Sequence, residues 1–233
     1  MTRVLVAGDS MLKDLAGSFT LGSSVDVEVR SFSGVRIEKL FPLIAESLAN
    51  THVVVLHVGT NNVGEEPLTR IARFRALISR ILDVNPCIRI VVSAILPRQM
   101  SFLKCRWALT ARELETSNAD ARETNAILQA LCHKNGYRYL DSTRELSGML
   151  KADGVHPTQR GSQLLGRLLR EAIRSVVQEI RQSHDEVVWQ QHQVQEEHEE
   201  LRRQYGVSQA RNTAGDTGSG CGCLQHQQQR PCL

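Results

Sequence analysis

The chain has 233 residues, 41% of them hydrophobic and 23% charged, with 28 Lys+Arg against 25 Asp+Glu. That is enough apolar residue to bury one large domain, and a balance neither disordered by composition nor strongly basic. The longest apolar run, Val53 to Val58, is far shorter than a membrane span and contains His57, which excludes a spanning helix.

In chain order, the opening Met-Thr-Arg-Val-Leu-Val-Ala-Gly-Asp-Ser has too short an apolar stretch for a signal peptide and reads as the start of a fold. Arg3–Ala7 is a β-branched strand. Val25–Arg30 alternates apolar with charged, a second strand, and Val35–Ala49 has helical period. His52–Val58 is a buried strand, followed by helical Leu68–Leu82, strand Ile88–Ala94, helical Ala108–His133 and a short strand at Tyr137–Leu140. The pattern ends in Gln159–Ile180, where Leu164, Leu165, Leu168, Leu169, Ile173, Val176 and Val177 recur at helical spacing with Arg167, Arg170 and Arg174 between them, so that one side is apolar and the other charged. Strands alternating with helices predict an α/β fold: a three-layer sandwich with a central parallel sheet of about five strands flanked by helices, its chemistry at the carboxyl ends of the strands.

The composition changes near residue 180. Residues 1–180 hold 23 Lys+Arg and 18 Asp+Glu, whereas residues 181–233 hold 5 and 7, with 11 Gln. The expected organisation is a domain at 1–180, a polar helical extension at 181–210 and a disordered Gly/Gln/Cys-containing tail at 211–233. Val187, Val194 and Leu201 recur every seven residues, a weak coiled-coil pattern through which 185–205 would self-associate. A solvated helical extension is the preferred reading. The six cysteines include three scattered singly (Cys87, Cys105, Cys132) and three crowded at the end (Cys221, Cys223, Cys232). None has CxxC spacing, so reduced thiols in a cytoplasmic compartment are expected.

Polar or glycine-bearing segments follow the strands: Gly8-Asp9-Ser10 after the first, Ser33-Gly34 after the second, Gly59-Thr60-Asn61-Asn62 after the third. Asp153-Gly154-Val155-His156-Pro157 precedes the last helix. Together they hold the parts for acyl transfer: a hydroxyl (Ser10), an imidazole to take its proton (His156), a carboxylate to orient the ring (Asp153), and hydrogen-bond donors for an oxyanion (Gly34, Asn61). Asp-x-x-His puts both side chains on one loop, so a single turn can set the carboxylate against one ring nitrogen and leave the other for Ser10. Each residue also has a purely structural reading: Ser10 as the cap of a helix starting near Met11, Asp153 and Gly34 as turn formers, Asn61 and Asn62 as Asx-turn residues.

These four blocks resemble the SGNH, or GDSL, hydrolase superfamily: Ser10 matches the serine of the GDS block, Gly34 the glycine of the second block, Asn61 the asparagine of the GxND block, and Asp153 with His156 the DxxH block. The resemblance covers roughly residues 3–180. It departs at Asn62, where many members have Asp. It implies a flavodoxin-like SGNH fold and a serine esterase with Ser10, Asp153 and His156 as catalytic residues. The oxyanion hole would be built from Ser10, Gly34 and Asn61, and no metal or cofactor is implied. Within the superfamily, the Arg-rich, low-Lys composition and the Gly34-Val-Arg-Ile-Glu-Lys-Leu stretch look like the esterase-like domains in the first reading frame of some LINE-type retrotransposons, or host genes derived from them.

The expected function is therefore hydrolysis of a small acyl ester. The alternative is a module of the same fold that binds nucleic acid or itself; the net charge of 1–180 permits nucleic-acid binding, but 4% aromatic residues leave few stacking platforms. Asp9 is expected to shape the nucleophile turn, His52 and His57 to be structural, and Arg36 to be a solvated residue at a helix start, with contact to an anionic substrate group as the alternative. The irregular stretch Pro97–Leu109 is read as a loop over the strand ends, with Phe102, Leu103 and Trp107 lining an apolar slot or packing as core.

Overall fold

The computed structural model describes residues 1–15, 19–103 and 108–212, with side chains up to 203. Strand β1 (Thr2–Gly8) is followed by a 3₁₀ helix, Ser10–Leu15; then come β2 (Val25–Ser31), helix α1 (Ile37–Leu48), β3 (Val53–His57), α2 (Pro67–Val84), β4 (Arg89–Ser93), α3 (Ala111–Asn135), β5 (Arg138–Leu140) and α4 (Gln159–Asn212). The five strands form one sheet in the order β2-β1-β3-β4-β5, and every pairing is parallel. The sheet is flanked by helices, as the alternating pattern predicts. Its order reverses between β1 and β3, and the crevice at such a reversal is where open α/β sheets gather ligand chemistry.

The strand sequences follow from their places. β3 is buried at every position, because both its faces are covered, and it reads as an unbroken apolar run. β2 lies at an edge and alternates intermediate and exposed positions over Val25–Glu28, which is why its sequence alternates. Helix α1 buries Ile37, Leu40, Ile44 and Leu48, a three-to-four-residue repeat, and α2 buries Ile71, Phe74, Ile78 and Ile81.

Several boundaries move for identifiable reasons. α3 starts at Ala111 instead of Ala108 because Thr110 caps it: its hydroxyl accepts from the Glu113 N–H while Glu113 reaches back to the Thr110 N–H. α1 starts at Ile37 instead of Val35, since Gly34 is left-handed (φ 72°) and Arg36 is extended. The turn after β1 enters a 3₁₀ helix, Ser10–Leu15.

The chain divides into two compact units, Met1–Val177 and Gln178–Leu233. In the first, α4 buries Leu165, Leu169, Ile173, Val176 and Val177. In the second, Val188, Trp189, Val194 and Leu201 are exposed. Residues 213–233, and with them the expected disordered tail, lie outside the described residues. No helix among those described is long and apolar enough to cross a membrane.

Candidate active site

Strands β2, β1 and β3 are neighbours in the sheet, so the loops leaving their carboxyl ends are brought side by side. Gly8 pairs with both Ser31 and His57, and a Cβ at Gly8 would lie 1.9 Å from the His57 carbonyl oxygen. Glycine is required there for β1 and β3 to approach. Ser10 leaves this junction as the first residue of the 3₁₀ helix. Its turn is fixed by Asp9, whose carboxylate accepts from the Met11 N–H at 3.1 Å, whose N–H donates to His57 O at 3.1 Å, and whose carbonyl accepts from Ser31 Oγ at 3.0 Å.

Ser10 Oγ lies 2.9 Å from His156 Nε2, and His156 Nδ1 lies 2.7 Å from Asp153 Oδ2. The other carboxylate oxygen of Asp153 accepts from the Val155 and His156 N–H groups at 2.9 and 3.0 Å. Burial works to raise the Asp153 pKa, but those N–H groups and the His156 ring outweigh it and hold the carboxyl below its usual range. A carboxylate fixed in its charged form beside Nδ1 keeps that nitrogen protonated and leaves Nε2 as the acceptor toward the Ser10 hydroxyl.

The histidine loop is stitched on both sides. Lys151 N donates to His156 O and Thr158 N to Met149 O, both at 2.7 Å, while Gln99 N donates to Gly154 O at 2.8 Å and Phe102 N to Ala152 O at 2.7 Å. Gly154 is left-handed (φ 71°), and a Cβ there would meet the Gln99 carbonyl oxygen at 2.1 Å. Pro157 pairs with Leu150 in an isolated bridge.

Gly34 follows β2 with φ 72° and nothing within 4 Å of where a Cβ would stand. The backbone N–H groups of Ser10 and Gly34 make no hydrogen bond among the described residues. Asn61 donates from Nδ2 to Val35 O at 3.0 Å, which ties the loop after β3 to the residue following Gly34; one amide hydrogen of Asn61 is left over. The loops are also joined through Phe32 N donating to Gly8 O at 2.9 Å. The geometry thus brings Ser10, His156 and Asp153 into one hydrogen-bonded chain and Asn61 against the segment that carries Gly34. Among the described residues, no group of three or more His, Cys, Asp or Glu side chains is arranged to hold a metal ion.

Residues 9–164 match the model of the GDSL-like lipase/acylhydrolase family. The chain belongs to this family. No curated protein matches it. Among solved structures, it is similar to Est24, a carbohydrate acetylesterase from Sinorhizobium meliloti (TM-score 0.64, 14% identity, 76% of this chain and 100% of that one). It is also similar to an aryl esterase from M. smegmatis (TM-score 0.63, 19% identity, 75% and 99%) and to a GDSL-like lipase from Bacteroides thetaiotaomicron VPI-5482 (TM-score 0.60, 18% identity, 75% and 89%). The five-strand parallel sheet flanked by helices is the fold of the SGNH hydrolases.

Other residues of this GDSL-family chain are placed differently from the sequence expectation. Arg36 stands at the N-cap of α1 with its side chain 42% exposed, as expected of an arginine at a helix start, but it is ion-paired with Glu65 and lies 3.6 Å from Glu38, so its charge is already matched by protein carboxylates. Phe102 and Leu103 are exposed, at 87% and 53%, and form neither a slot nor core; backbone bonds to Ala152 and Gly154 hold their segment against the histidine loop. Trp107 lies outside the described residues.

His52 Nδ1 accepts from the Arg3 N–H at 3.1 Å. His57 is buried with Nδ1 2.8 Å from Ser93 Oγ, and burial holds its pKa below the usual range against the opposing pull of Asp9. Burial likewise drives the Asp9 carboxyl upward, opposed by His57 and the Met11 N–H. Burial pushes the Cys132 thiol up to about 11, so it is no competing nucleophile near neutral pH.

What sequence reasoning missed lies behind Asn61. Asn62 is completely buried, and its amide joins Ile37 to Glu38 and Glu65. The one available signal was the Asn in the GxND block, and its partners stand 3 to 25 residues away in sequence.

Proposed function

We propose that this member of the GDSL-like acylhydrolase family is a serine esterase in which Ser10, His156 and Asp153 form the catalytic triad. The observation that carries the reading is the unbroken chain of hydrogen bonds, 2.9 Å from Ser10 Oγ to His156 Nε2 and 2.7 Å from His156 Nδ1 to Asp153 Oδ2. Ser10 Oγ attacks the acyl carbonyl carbon as its proton passes to His156 Nε2. The carbonyl π electrons move to oxygen, and the oxyanion receives the N–H groups of Ser10 and Gly34 and the free Asn61 amide hydrogen. Collapse breaks the bond to the alkoxy oxygen, which leaves with the proton from His156. Water, deprotonated by the same imidazole, then attacks the acyl carbon of the acyl-enzyme; the bond to Ser10 Oγ breaks, Oγ takes back the proton from His156 Nε2, and the water's hydroxyl leaves on the acyl group as the free acid. Asp153 stays ionised and balances the imidazolium in each half.

The substrate class is a carboxylic ester of small size, and no step calls on a metal or organic cofactor. The Arg-rich composition and the Gly34–Leu40 stretch support a kinship with the esterase-like domains of LINE-type first-frame proteins or host genes derived from them, and a cytoplasmic setting is proposed with it. The test is turnover of nitrophenyl esters of rising acyl length by the purified protein beside Ser10→Ala, with fluorophosphonate labelling of Ser10 read in parallel. Ser10-dependent turnover and labelling are expected. No Ser10-dependent turnover on any ester, together with RNA binding that weakens steeply with salt, would replace the esterase with the nucleic-acid-binding module.

A further inference from the structure

Helix α1 begins at Ile37 with a capping problem. Its N-cap residue, Arg36, is extended and makes no side-chain cap, because a guanidinium carries donors and no acceptor. The acceptor comes from another loop: Asn62 Oδ1 takes the Ile37 N–H at 3.1 Å. The same amide spends both its hydrogens, on Glu38 Oε2 at 3.2 Å and Glu65 Oε2 at 3.0 Å. Two guanidiniums offset the two carboxylates. Arg73 lies 2.8 Å from Glu65 and 3.3 Å from Glu38, and Arg36 pairs with both. The Asn62 carbonyl meanwhile accepts from Arg70 Nε at 3.1 Å and from the Glu65 N–H at 3.2 Å.

Asn61 and Asn62 therefore grip the same short segment from one side, at Val35 O and at Ile37 N. That segment starts one residue after Gly34. On the proposed esterase reading, Gly34 and Asn61 are the two oxyanion donors that come from loops other than the nucleophile's. Their separation is set by this grip.

We propose that Asn62 is a positioning residue for the oxyanion hole, an amide hub that locks the Gly34 loop to the Asn61 loop through Ile37, Glu38 and Glu65. Its chemistry explains the departure from the family's Asp. A carboxylate at 62 could still accept from Ile37, but it would face Glu38 and Glu65 with no hydrogen to give either. Three acidic groups would then crowd one partly buried point, with Arg36 at the N-cap of α1 and Arg73 of α2 facing them and Arg70 bonded to the backbone carbonyl of residue 62. Such crowding favours protonation of one carboxyl or opening of the loop. Asn62, Glu38 and Glu65 thus form one interdependent set.

The test is Asn62→Asp, which preserves volume and the cap acceptor, against the double variant Asn62→Asp with Glu65→Gln, which restores one donor and the net charge. Wild type and both variants are compared on one nitrophenyl ester, with thermal midpoints taken on the same samples. At pH 8 the single variant should lose about 10- to 100-fold in kcat with KM little changed, the scale of a donor misplaced by about an ångström. The ratio to wild type should narrow as the pH falls to 5.5 and a proton is taken up. The double variant should recover to within about threefold of wild type.

A single variant with wild-type kcat overturns the proposal, as does a folded double variant whose kcat stays depressed. So does a loss of activity that tracks only the fraction unfolded. If the single variant does not fold at pH 8, the double variant decides on the same two outcomes. Absence of Ser10-dependent turnover in the wild type itself would sink the esterase reading and the positioning role with it. Wild-type turnover with an indifferent Asn62→Asp would sink the positioning role alone.

Discussion

Gly154→Ala tests whether the histidine loop is held to sub-ångström tolerance. A Cβ at Gly154 would stand 2.1 Å from the Gln99 carbonyl oxygen and 2.9 Å from its carbonyl carbon. Reaching even 3.0 Å, the shortest separation that real Cβ contacts show, means moving one backbone segment against the other by about 1 Å, and both are backbone, so no rotamer change relieves it. Gly154 sits between Asp153 and His156, and its carbonyl already accepts from Gln99 N at 2.8 Å. A 1 Å retreat of this loop would stretch the 2.9 Å Ser10–His156 contact beyond hydrogen-bond range.

The expected result is a fall in kcat of about 100-fold. The left-handed backbone adds about 1–2 kcal/mol of destabilisation, a fall of roughly 2–8 °C in Tm for a protein of this size. Gly148→Ala is the matched control: its φ is 75°, close to the 71° of Gly154, yet nothing lies within 4 Å of its Cβ position. It should lose similar stability and keep its kcat. If Gly154→Ala retains wild-type kcat while its Tm drops like the control's, the 97–103 segment yields instead of the histidine loop, and the argument for a rigid loop is wrong.

Asn61→Ala should lower kcat by about 10²–10³-fold with KM and Tm little changed; a fall in Tm that accounts for the activity loss would make Asn61 a structural residue of its loop. Stability should decline as the pH drops through 6.5. The unfolded His57 imidazole takes up a proton that the buried one, with its pKa held down, refuses. His57→Gln should flatten that part of the Tm–pH curve, and an unchanged slope would assign the decline to another group. Deletion of everything after residue 182 should leave both esterase activity and the cooperative unfolding transition nearly intact. Aggregation of the truncated protein would make the helix beyond Gln178 part of an obligate assembly.

The sheet was legible because burial on both faces writes itself into the chain. Val53–Leu56 is uniformly apolar and fully buried, the edge strand β2 alternates, and glycine punctuates the strand ends. Boundaries were less legible where the deciding contact is remote. The N-terminus of α1 shifts by two residues because its cap acceptor sits at Asn62, 25 residues on. The capping box at Thr110 and Glu113 was, by contrast, a local signal that helical periodicity masked: Ala108 and Leu109 continue the apolar pattern without belonging to the helix. Phe102 and Leu103 were misjudged for a related reason. Their apolar side chains call for burial, but their segment is held by backbone bonds to the histidine loop, which no hydrophobic pattern records.

The same distinction separates the proposed reacting groups from their supports. Asp153 and His156 are three residues apart, so their pairing is a local turn that a sequence can announce; Ser10 is announced by the glycine that lets β1 approach β3. The supports work by complementarity between groups that are unremarkable singly. Glu38 is an acidic residue in a first helical turn and Glu65 lies in a loop, and Asn62 reads as a turn residue. Together the two carboxylates require a donor at 62, and only then does Asn in place of Asp become a necessity instead of a conservative drift. Burial works to raise the Glu38 pKa, yet its own backbone N–H, the Asn62 amide, Arg73 and Arg36 hold it below the usual range. Glu38 therefore keeps its negative charge through neutral pH. On the proposed esterase reading the oxyanion donors are thus braced by a matched charge set, so Asn62 should be read with Glu38 and Glu65 as one three-residue motif.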